Sequence, residues 1–214
     1  EFRRVLFRSF ELKIENGRIV DGTGVPPFAA DIGISGGRIR QIGDLRTATA
    51  DAVIDAGGRY VGPGFIDIHT HYDAQVFWDP SLSSSSWHGV TSVLMGNCGV
   101  GVAPCPPGHA GILAWDLVNV EAIPYDVLLN GLPWDWVSYG DFLDSIDRRG
   151  VAINVGGMVP LSPLRYFVMG AEASERAANA AEIEQMAAIF RAAMEAGAFG
   201  MSISMGPRHI GYQG

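Results

Sequence analysis

The stretch Gly64-Phe65-Ile66-Asp67-Ile68-His69-Thr70-His71-Tyr72-Asp73 decides the fold. Its run of β-branched and aromatic residues predicts a buried strand over 65–69. His69 and His71 are two positions apart, so on a strand both imidazoles point to the same face. Such a pair can converge on one metal ion; the alternative is a solvated, inert pair at a strand exit. The stretch therefore predicts a metal site at the end of a strand.

The sequence before this stretch and the sequence after it predict different secondary structure. Residues 10–62 contain short strand candidates with turn signals at Asn16-Gly17 and Gly36-Gly37, which predicts a small β-sandwich or sheet. After residue 62, nearly continuous apolar segments alternate with helical or irregular stretches, as expected for strands buried on both faces of a parallel sheet. These strand candidates are Phe65–His69, Thr91–Met95, Ala152–Val155 and Phe199–Ser204.

Two helices are predicted in the second half of the chain. One runs from about 180 to 196, with Asn179 and Glu182 as a capping box. A shorter one covers about Asp141–Arg149. The Pro-, Gly- and Trp-containing stretch 101–140 is unusually long for a loop, so it is expected either to be a functional loop or to contain elements that its pattern does not reveal. The longer helix carries one apolar stripe that predicts core packing, formed by Ile183, Met186, Ala187, Phe190, Ala193 and Met194.

Together these patterns predict an α/β fold, an incomplete TIM-like (β/α) barrel preceded by a small β-sandwich domain. A complete barrel needs about 250 residues and eight strands, so residues 63–214, with about four β/α units, are expected to be the first half of one. Residues 10–62 form the small β domain. Residues 1–9, in a chain that starts at Glu1, are expected to be a non-native leader, with a basic N-terminal arm as the alternative.

The composition excludes several classes of protein. The net charge of −8 argues against nucleic acid or an anionic membrane as partner. Two cysteines, Cys98 and Cys105, are too few for a secreted disulfide scaffold, so a reduced cytoplasm is the expected location. No apolar run is long enough for a membrane helix.

Cys98 is the second candidate ligand. It follows the predicted strand Thr91–Met95, and active sites of such barrels lie at the C-terminal ends of the strands. His69, His71 and Cys98 are therefore expected on the same face, where two imidazoles and a thiolate suit Zn²⁺. The alternative for Cys98 alone is a small buried apolar residue.

The two motifs resemble a known family. Residues 61–73 resemble the first metal-binding strand of the amidohydrolase superfamily, and Gly96-Asn97-Cys98-Gly99-Val100-Gly101 is similar to the N-acyl-D-amino-acid deacylases (D-aminoacylases). The resemblance covers residues 10 to about 204. It implies that His69, His71 and Cys98 hold zinc, as one or two ions in the complete protein. It also implies that the remaining ligands and the general-base aspartate lie beyond residue 214.

The implied reaction is zinc-dependent hydrolysis of a linear amide, from a small N-acyl-D-amino acid to a carboxylate and a D-amino acid. One alternative is a hydantoinase- or dihydroorotase-type cyclic amidohydrolase, against which Cys98 argues. Another is that this chain by itself is an inactive, non-catalytic fragment, since it lacks a general base. The acyl group, the side-chain preference and the oligomeric state are left open.

Other polar residues are weaker candidates. Asp73 is expected either to orient a ligand histidine as an outer carboxylate or to cap the following segment. His88 is expected to be structural, and His209 to be a loop residue or a substrate contact. Cys105 is expected to be an ordinary loop residue. Each tryptophan is expected to pack in the core or a loop, with the lining of an acyl pocket as the alternative.

Overall fold

The computed structural model describes residues 9–205, and the chain divides into two compact units between Pro63 and Gly64. Residues 1–8 and 206–214, which include most of the predicted leader and His209, lie outside the described residues. The first unit forms one five-stranded mixed sheet in the order β3-β2-β1-β4, with β5 also paired to β1. Its strands are β1 (Ser9–Ile19), β2 (Phe28–Ser35), β3 (Arg38–Gly43), β4 (Thr49–Asp55) and β5 (Tyr60–Val61).

The turn predicted at Asn16-Gly17 is wrong. β1 runs through it without reversing, and its register against β2 shifts between Ile14 and Gly17. Asn16 has a positive φ of 57°, and its side chain donates to the Asp55 carboxylate at 2.9 Å. Asparagine tolerates this left-handed conformation, and here it forms a bulge in a long strand rather than a hairpin.

The hairpin predicted at Gly36-Gly37 is confirmed. β2 and β3 pair antiparallel, and both glycines have positive φ, 59° and 66°. A two-residue hairpin turn with positive φ at both positions matches the twist of its strands, and glycine adopts it without a Cβ clash. The buried apolar side chains of this unit are Phe10, Ile19, Ile32, Leu45 and Ala56.

The second unit contains two parallel sheets. Three strands lie in the order β6-β7-β8, and β9 pairs with β10. The strands are β6 (Phe65–Asp67), β7 (Val90–Met95), β8 (Asn154–Gly157), β9 (Val159–Pro160) and β10 (Met201–Ser202). All four predicted strand segments therefore contain strand, but β6 ends at Asp67, two residues before His69. β9 was not predicted.

Burial of β6 on both faces was wrongly predicted. Phe65 and Ile66 are 69% and 68% exposed, and Ile68 just beyond the strand is also exposed. β6 is the edge strand of its sheet among residues 9–205, and neither Phe65 nor Ile66 packs against the apolar core of this unit, so both faces of the strand are open. Apolar composition identified the strand but did not reveal which faces are covered in this chain.

Helices surround the sheets of the second unit. Within residues 64–205, three short 3₁₀ turns occupy Gln75–Phe77, Asn97–Gly99 and Gly170–Ser174. The α-helices are α1 (Ser83–Ser86), α2 (Ala110–Glu121), α3 (Tyr125–Gly131), α4 (Tyr139–Arg149), α5 (Leu161–Met169) and α6 (Ala180–Glu195). Among the described residues, every helix falls short of the length and hydrophobicity that crossing a membrane requires.

The stretch 101–140 is not one long loop, because α2 and α3 lie within it, in agreement with the second of its two interpretations. The helices predicted as α4 and α6 are confirmed, each with a complete capping box, Ser138 with Asp141 and Asn179 with Glu182. The apolar stripe of α6 is only partly buried. Met186 and Ala193 are buried, whereas Ile183 is 54% exposed, because α4 and α5 pack against only part of α6.

A single apolar core holds the second unit together. Its largest fully buried side chains come from β7, α2, α4 and α5 and from the loops between them. Burial of a large apolar side chain contributes about 1.5–3 kcal/mol, so this core fixes the ends of the strands from which the candidate ligands project. These side chains include Met95, Leu113, Leu117, Tyr139, Phe142 and Leu164.

Candidate metal centre

The His69-Thr70-His71 segment lies just past β6 and is attached to β7. The Thr70 backbone N–H donates to the Leu94 carbonyl at 3.1 Å, and the Thr70 hydroxyl donates to the same carbonyl at 2.9 Å. Thr70 is itself buried. These bonds fix the backbone between the two histidines, whose ring centroids are 5.5 Å apart. The two imidazoles therefore lie on a segment that is anchored at its centre.

Cys98 is carried by a sharp turn at the end of β7. Gly96 has a φ of 76°, and a Cβ there would lie 2.1 Å from the Met158 carbonyl oxygen, so only glycine fits. Cys98 also has a positive φ, 57°, inside the 3₁₀ turn Asn97–Gly99. Two left-handed residues in three positions reverse the chain and direct the Cys98 thiol toward the histidine segment.

Asn97 connects this turn to the histidine segment. Its side-chain amide donates to the Leu94 carbonyl at 2.9 Å and to the Thr70 carbonyl at 3.3 Å, and the residue is buried. It thus links the backbone next to both candidate ligand groups. Asn97 stands immediately before Cys98 in the sequence motif, but the sequence did not predict that its side chain would connect these two segments.

Ser202 on β10 supports the turn from the other side. Its hydroxyl accepts from the Gly99 backbone N–H at 2.9 Å and donates to the Gly96 carbonyl. The residue is buried. The turn that carries Cys98 is therefore held by a residue more than 100 positions further along the chain, which sequence analysis did not identify.

The structure brings the three predicted ligand residues together. One ligand atom from each of His69, His71 and Cys98 lies within 4.8 Å of the others. His69 Nε2 and Cys98 Sγ are 3.2 Å apart. Around a tetrahedral zinc ion with ordinary bond lengths, a nitrogen and a sulfur ligand are about 3.6 Å apart. The donor set and its spacing therefore fit a zinc ion after small side-chain adjustments, with a fourth position left for another group.

Asp73 lies beside the turn rather than at the metal position. Its carboxylate accepts from the Gly96 backbone N–H at 3.1 Å, and the residue is 1% exposed. Burial raises the pKa of this carboxyl to about 7, against the lowering effect of the Gly96 N–H. Among the described contacts, Asp73 thus positions the turn of Cys98.

Glu121, the last residue of α2, brings a negative charge to the site. Its Oε1 lies 3.5 Å from His71 Nδ1, and the two side chains are 27% and 17% exposed. Burial, and then the charge of Glu121, raise the pKa of the Cys98 thiol. A bound cation opposes this effect, because metal coordination deprotonates a thiol. No sequence pattern pointed to Glu121, which is distant in the chain from both histidines.

A cleft of about 320 Å³ opens at the two candidate histidine ligands, His69 and His71. Its other lining residues include Tyr72, Gln75, Glu121 and Ile123. A larger cleft of about 690 Å³ lies beside the N-terminal ends of β7 and β8, near Thr91 and Asn154, and its lining contains no histidine or cysteine among the described residues. Of the two clefts, the smaller one therefore contains the candidate histidine ligands, at the C-terminal ends of the strands.

The remaining candidates lie elsewhere. The His88 backbone N–H donates to the Ser85 carbonyl in the turn before β7, and the His109 ring lies 3.1 Å from the Pro107 carbonyl. Cys105 is buried next to Pro106. Within residues 9–205, no tryptophan lines the 320 Å³ cleft; Trp115, for example, stacks on Tyr125.

Several proteins of similar sequence and structure are D-aminoacylases or N-acyl-D-amino-acid deacylases by name. A D-aminoacylase of Alcaligenes xylosoxydans xylosoxydans is 37% identical over 193 residues, which cover 90% of this chain and 37% of the relative. The crystal structure of N-acyl-D-glutamate deacylase from Bordetella bronchiseptica, complexed with zinc and a phosphonate inhibitor, superposes with a TM-score of 0.77 at 35% identity. The superposition covers 92% of this chain and 38% of that one.

A third similar structure is that of a D-aminoacylase with a binuclear metal centre, with a TM-score of 0.78, 34% identity and coverage of 94% of this chain and 40% of that one. This chain thus spans somewhat more than a third of the length of each of these three proteins. The sequence profile of the amidohydrolase family matches residues 52–210. Since that match takes in most of the chain, the protein belongs to the amidohydrolase family.

Proposed function

We propose that this chain is the metal-binding first part of a zinc-dependent hydrolase that deacylates N-acyl-D-amino acids. The observation that carries the proposal is the approach of His69, His71 and Cys98, whose ligand atoms lie within 4.8 Å of one another. Nitrogen and sulfur ligands favour zinc over magnesium or calcium. We further propose that residues 63–214 contribute about half of a (β/α)₈ barrel, with its active site at the C-terminal ends of the strands, and that residues 10–62 belong to a small β-sandwich.

The residues of this chain have two tasks in the proposed reaction. His69, His71 and Cys98 hold the ion, while Thr70 and Asn97 fix the backbone that carries them. A zinc ion held there would supply Lewis acidity, to polarise the amide carbonyl and to acidify a water molecule. Addition of water across the C–N bond releases a carboxylate and a D-amino acid. The general base that accepts the water proton is proposed to follow residue 214.

The choice of substrate rests on similarity. Three relatives that match about nine-tenths of this chain are named D-aminoacylase, N-acyl-D-glutamate deacylase and N-acyl-D-aspartate deacylase. Cys98 favours this class over the cyclic amidohydrolases, which are expected to bridge two metals with a lysine. The segment predicted as the fourth barrel strand, residues 199–204, contains no lysine.

The test uses the uninterrupted reading frame that contains this chain. The protein is purified with zinc and offered matched N-acyl-D- and N-acyl-L-amino acids, and free amino acid is measured. Release from the D-substrates is expected. No release from either series by protein that holds zinc would refute the proposal.

A second arm tests the 214-residue chain by itself. It is expected to bind zinc but to hydrolyse none of these substrates, because a positioned base contributes about 10²–10⁴-fold to such a reaction and none is present among the proposed groups. Clear turnover by this chain would show that the base lies within it.

A further inference from the structure

Glu121 approaches His71 at the ring nitrogen Nδ1. The carboxylate Oε1 is 3.5 Å from His71 Nδ1, and both side chains are largely shielded from water. Glu121 and His71 line the same cleft of about 320 Å³. The contact joins the end of α2 to the segment after β6, two elements that are far apart in the sequence.

A metal-binding histidine needs its two ring nitrogens in different states. The nitrogen that binds the ion carries a lone pair, and the other carries a proton that is usually donated to a carboxylate or carbonyl. Since the Glu121 carboxylate faces Nδ1, a proton on Nδ1 is favoured and Nε2 is left as the ligand atom. At 3.5 Å the contact is longer than a hydrogen bond, so the proton donation inferred here requires the two atoms to approach by about 0.5 Å.

The charge of the site supports the same assignment. Two neutral imidazoles and the Cys98 thiolate carry one negative charge against the two positive charges of zinc. Glu121 supplies a second negative charge at close range without belonging to the His69, His71 and Cys98 set. Together with the Cys98 thiolate, Glu121 would balance the two positive charges of a zinc ion.

The location of Glu121 in its helix is a second, independent observation. A negative charge at the C-terminal end of a helix is opposed by the helix dipole. Glu195 ends α6 in the same way but is exposed, so water screens its charge. Glu121 is mostly buried at the end of α2, where screening is weaker. An unfavourable interaction between a carboxylate and the helix dipole, at the wall of a functional cleft, is typical of residues that serve the site rather than the stability of the fold.

We propose that Glu121 is a positioning residue of the metal centre: it accepts the Nδ1 proton of His71 and so presents His71 Nε2 to the ion. The inference rests on the proposed zinc site and assigns it an outer carboxylate from α2. Removal of such an outer partner weakens metal binding about 10–100-fold.

The test compares zinc affinities by competition with a chromophoric chelator. Glu121→Ala is expected to weaken binding about 10–100-fold. Glu121→Gln, which keeps the shape and loses the charge, is expected to lose less. Glu195→Ala removes the equivalent helix-terminal charge far from the ligands and serves as the matched control, with no change expected. Thermal unfolding with EDTA establishes that each variant is folded.

A second measurement separates positioning from general stability. Long-range ¹H–¹⁵N spectra of the zinc-loaded chain are expected to show His71 with its proton on Nδ1, and Glu121→Gln to alter that signal while the His69 signal stays in place. Equal zinc affinity of the native chain and Glu121→Ala overturns the inference and leaves the metal site standing. Failure of the native chain to bind zinc overturns the metal site and the inference together.

Discussion

His69 Nε2 and Cys98 Sγ lie 3.2 Å apart although the two residues are 29 positions apart in the chain. Two local features produce this approach. Thr70 attaches the histidine segment to Leu94, and the left-handed Gly96 turns the chain directly after β7. Neighbouring parallel strands then deliver an imidazole and a thiol to one edge of the sheet. The pairing of β6 with β7 therefore does more than shape the fold, since it assembles the candidate ligand set.

Replacement of Cys98 by serine is expected to weaken zinc binding by at least about 100-fold, the upper end of the loss caused by an outer partner, because a soft thiolate ligand is removed. Cys105→Ser is the matched control, since it removes the other thiol of the chain and leaves the ligand set intact. Chelator competition measures both affinities. Equal losses in the two variants, or none in Cys98→Ser, would argue against Cys98 as a ligand.

Gly96→Ala is expected to destabilise the chain by about 3 kcal/mol or more, from left-handed strain together with a backbone clash. The added Cβ would lie 2.1 Å from the Met158 carbonyl oxygen. Gly108→Ala is the control: its φ of 80° is similar, but the described residues leave open space within 4 Å of the place that its Cβ would occupy. That variant is expected to lose only about 1–2 kcal/mol.

Urea unfolding of the metal-free chain distinguishes the two glycine variants, and zinc titration shows whether Gly96→Ala also displaces Cys98. Similar losses of stability in both variants would mean that Met158 moves freely and that the close approach at Gly96 is not a constraint.

Cys105 is expected to resist alkylation until the pH is high. Burial raises the pKa of its thiol to about 11, whereas an unfolded cysteine titrates near 8.5. The raised pKa means that burial of this thiol favours the folded state fully below about pH 8.5, and that this contribution is lost as the pH rises through 11.

At pH 8, about one thiol in a thousand is a thiolate at a pKa of 11, so folded Cys105 should label roughly 200-fold more slowly than the unfolded chain. The Cys98→Ser variant isolates this thiol, and iodoacetamide labelling followed by mass spectrometry measures the rate. A rate that does not change on unfolding would contradict the burial of Cys105.

Asn179→Ala is expected to cost about 1 kcal/mol of stability through loss of the α6 capping box. The Asn179 side chain accepts from the Glu182 N–H at 3.0 Å, and the Glu182 carboxylate accepts from the Asn179 N–H at 2.8 Å. Glu184→Ala, at an exposed position of the same helix, is the control and is expected to change stability by less than about 0.5 kcal/mol. Equal effects in a chemical unfolding experiment would show that the cap contributes nothing.

The sequence predicted those elements whose signal is local. Gly36-Gly37 identified a hairpin because two adjacent positions needed positive φ. Asn179 and Glu182 identified the start of α6 because a capping box spans four residues. Asn16-Gly17 led to a wrong prediction because its signal is also local. The pair suits a tight turn, but the pairing of β1 with β2, β4 and β5 keeps the strand running through it.

By itself, the sequence determined the amidohydrolase motif, the strand segments and the identity of the candidate ligands His69, His71 and Cys98. Only the tertiary structure decided which groups surround them: Asn97 between two backbones, Ser202 behind the turn, and Glu121 beside His71. The physical reason is the range of each interaction. A motif is encoded in neighbouring residues, whereas these partners meet only after packing of helices and strands brings distant parts of the chain within hydrogen-bond or ion-pair distance.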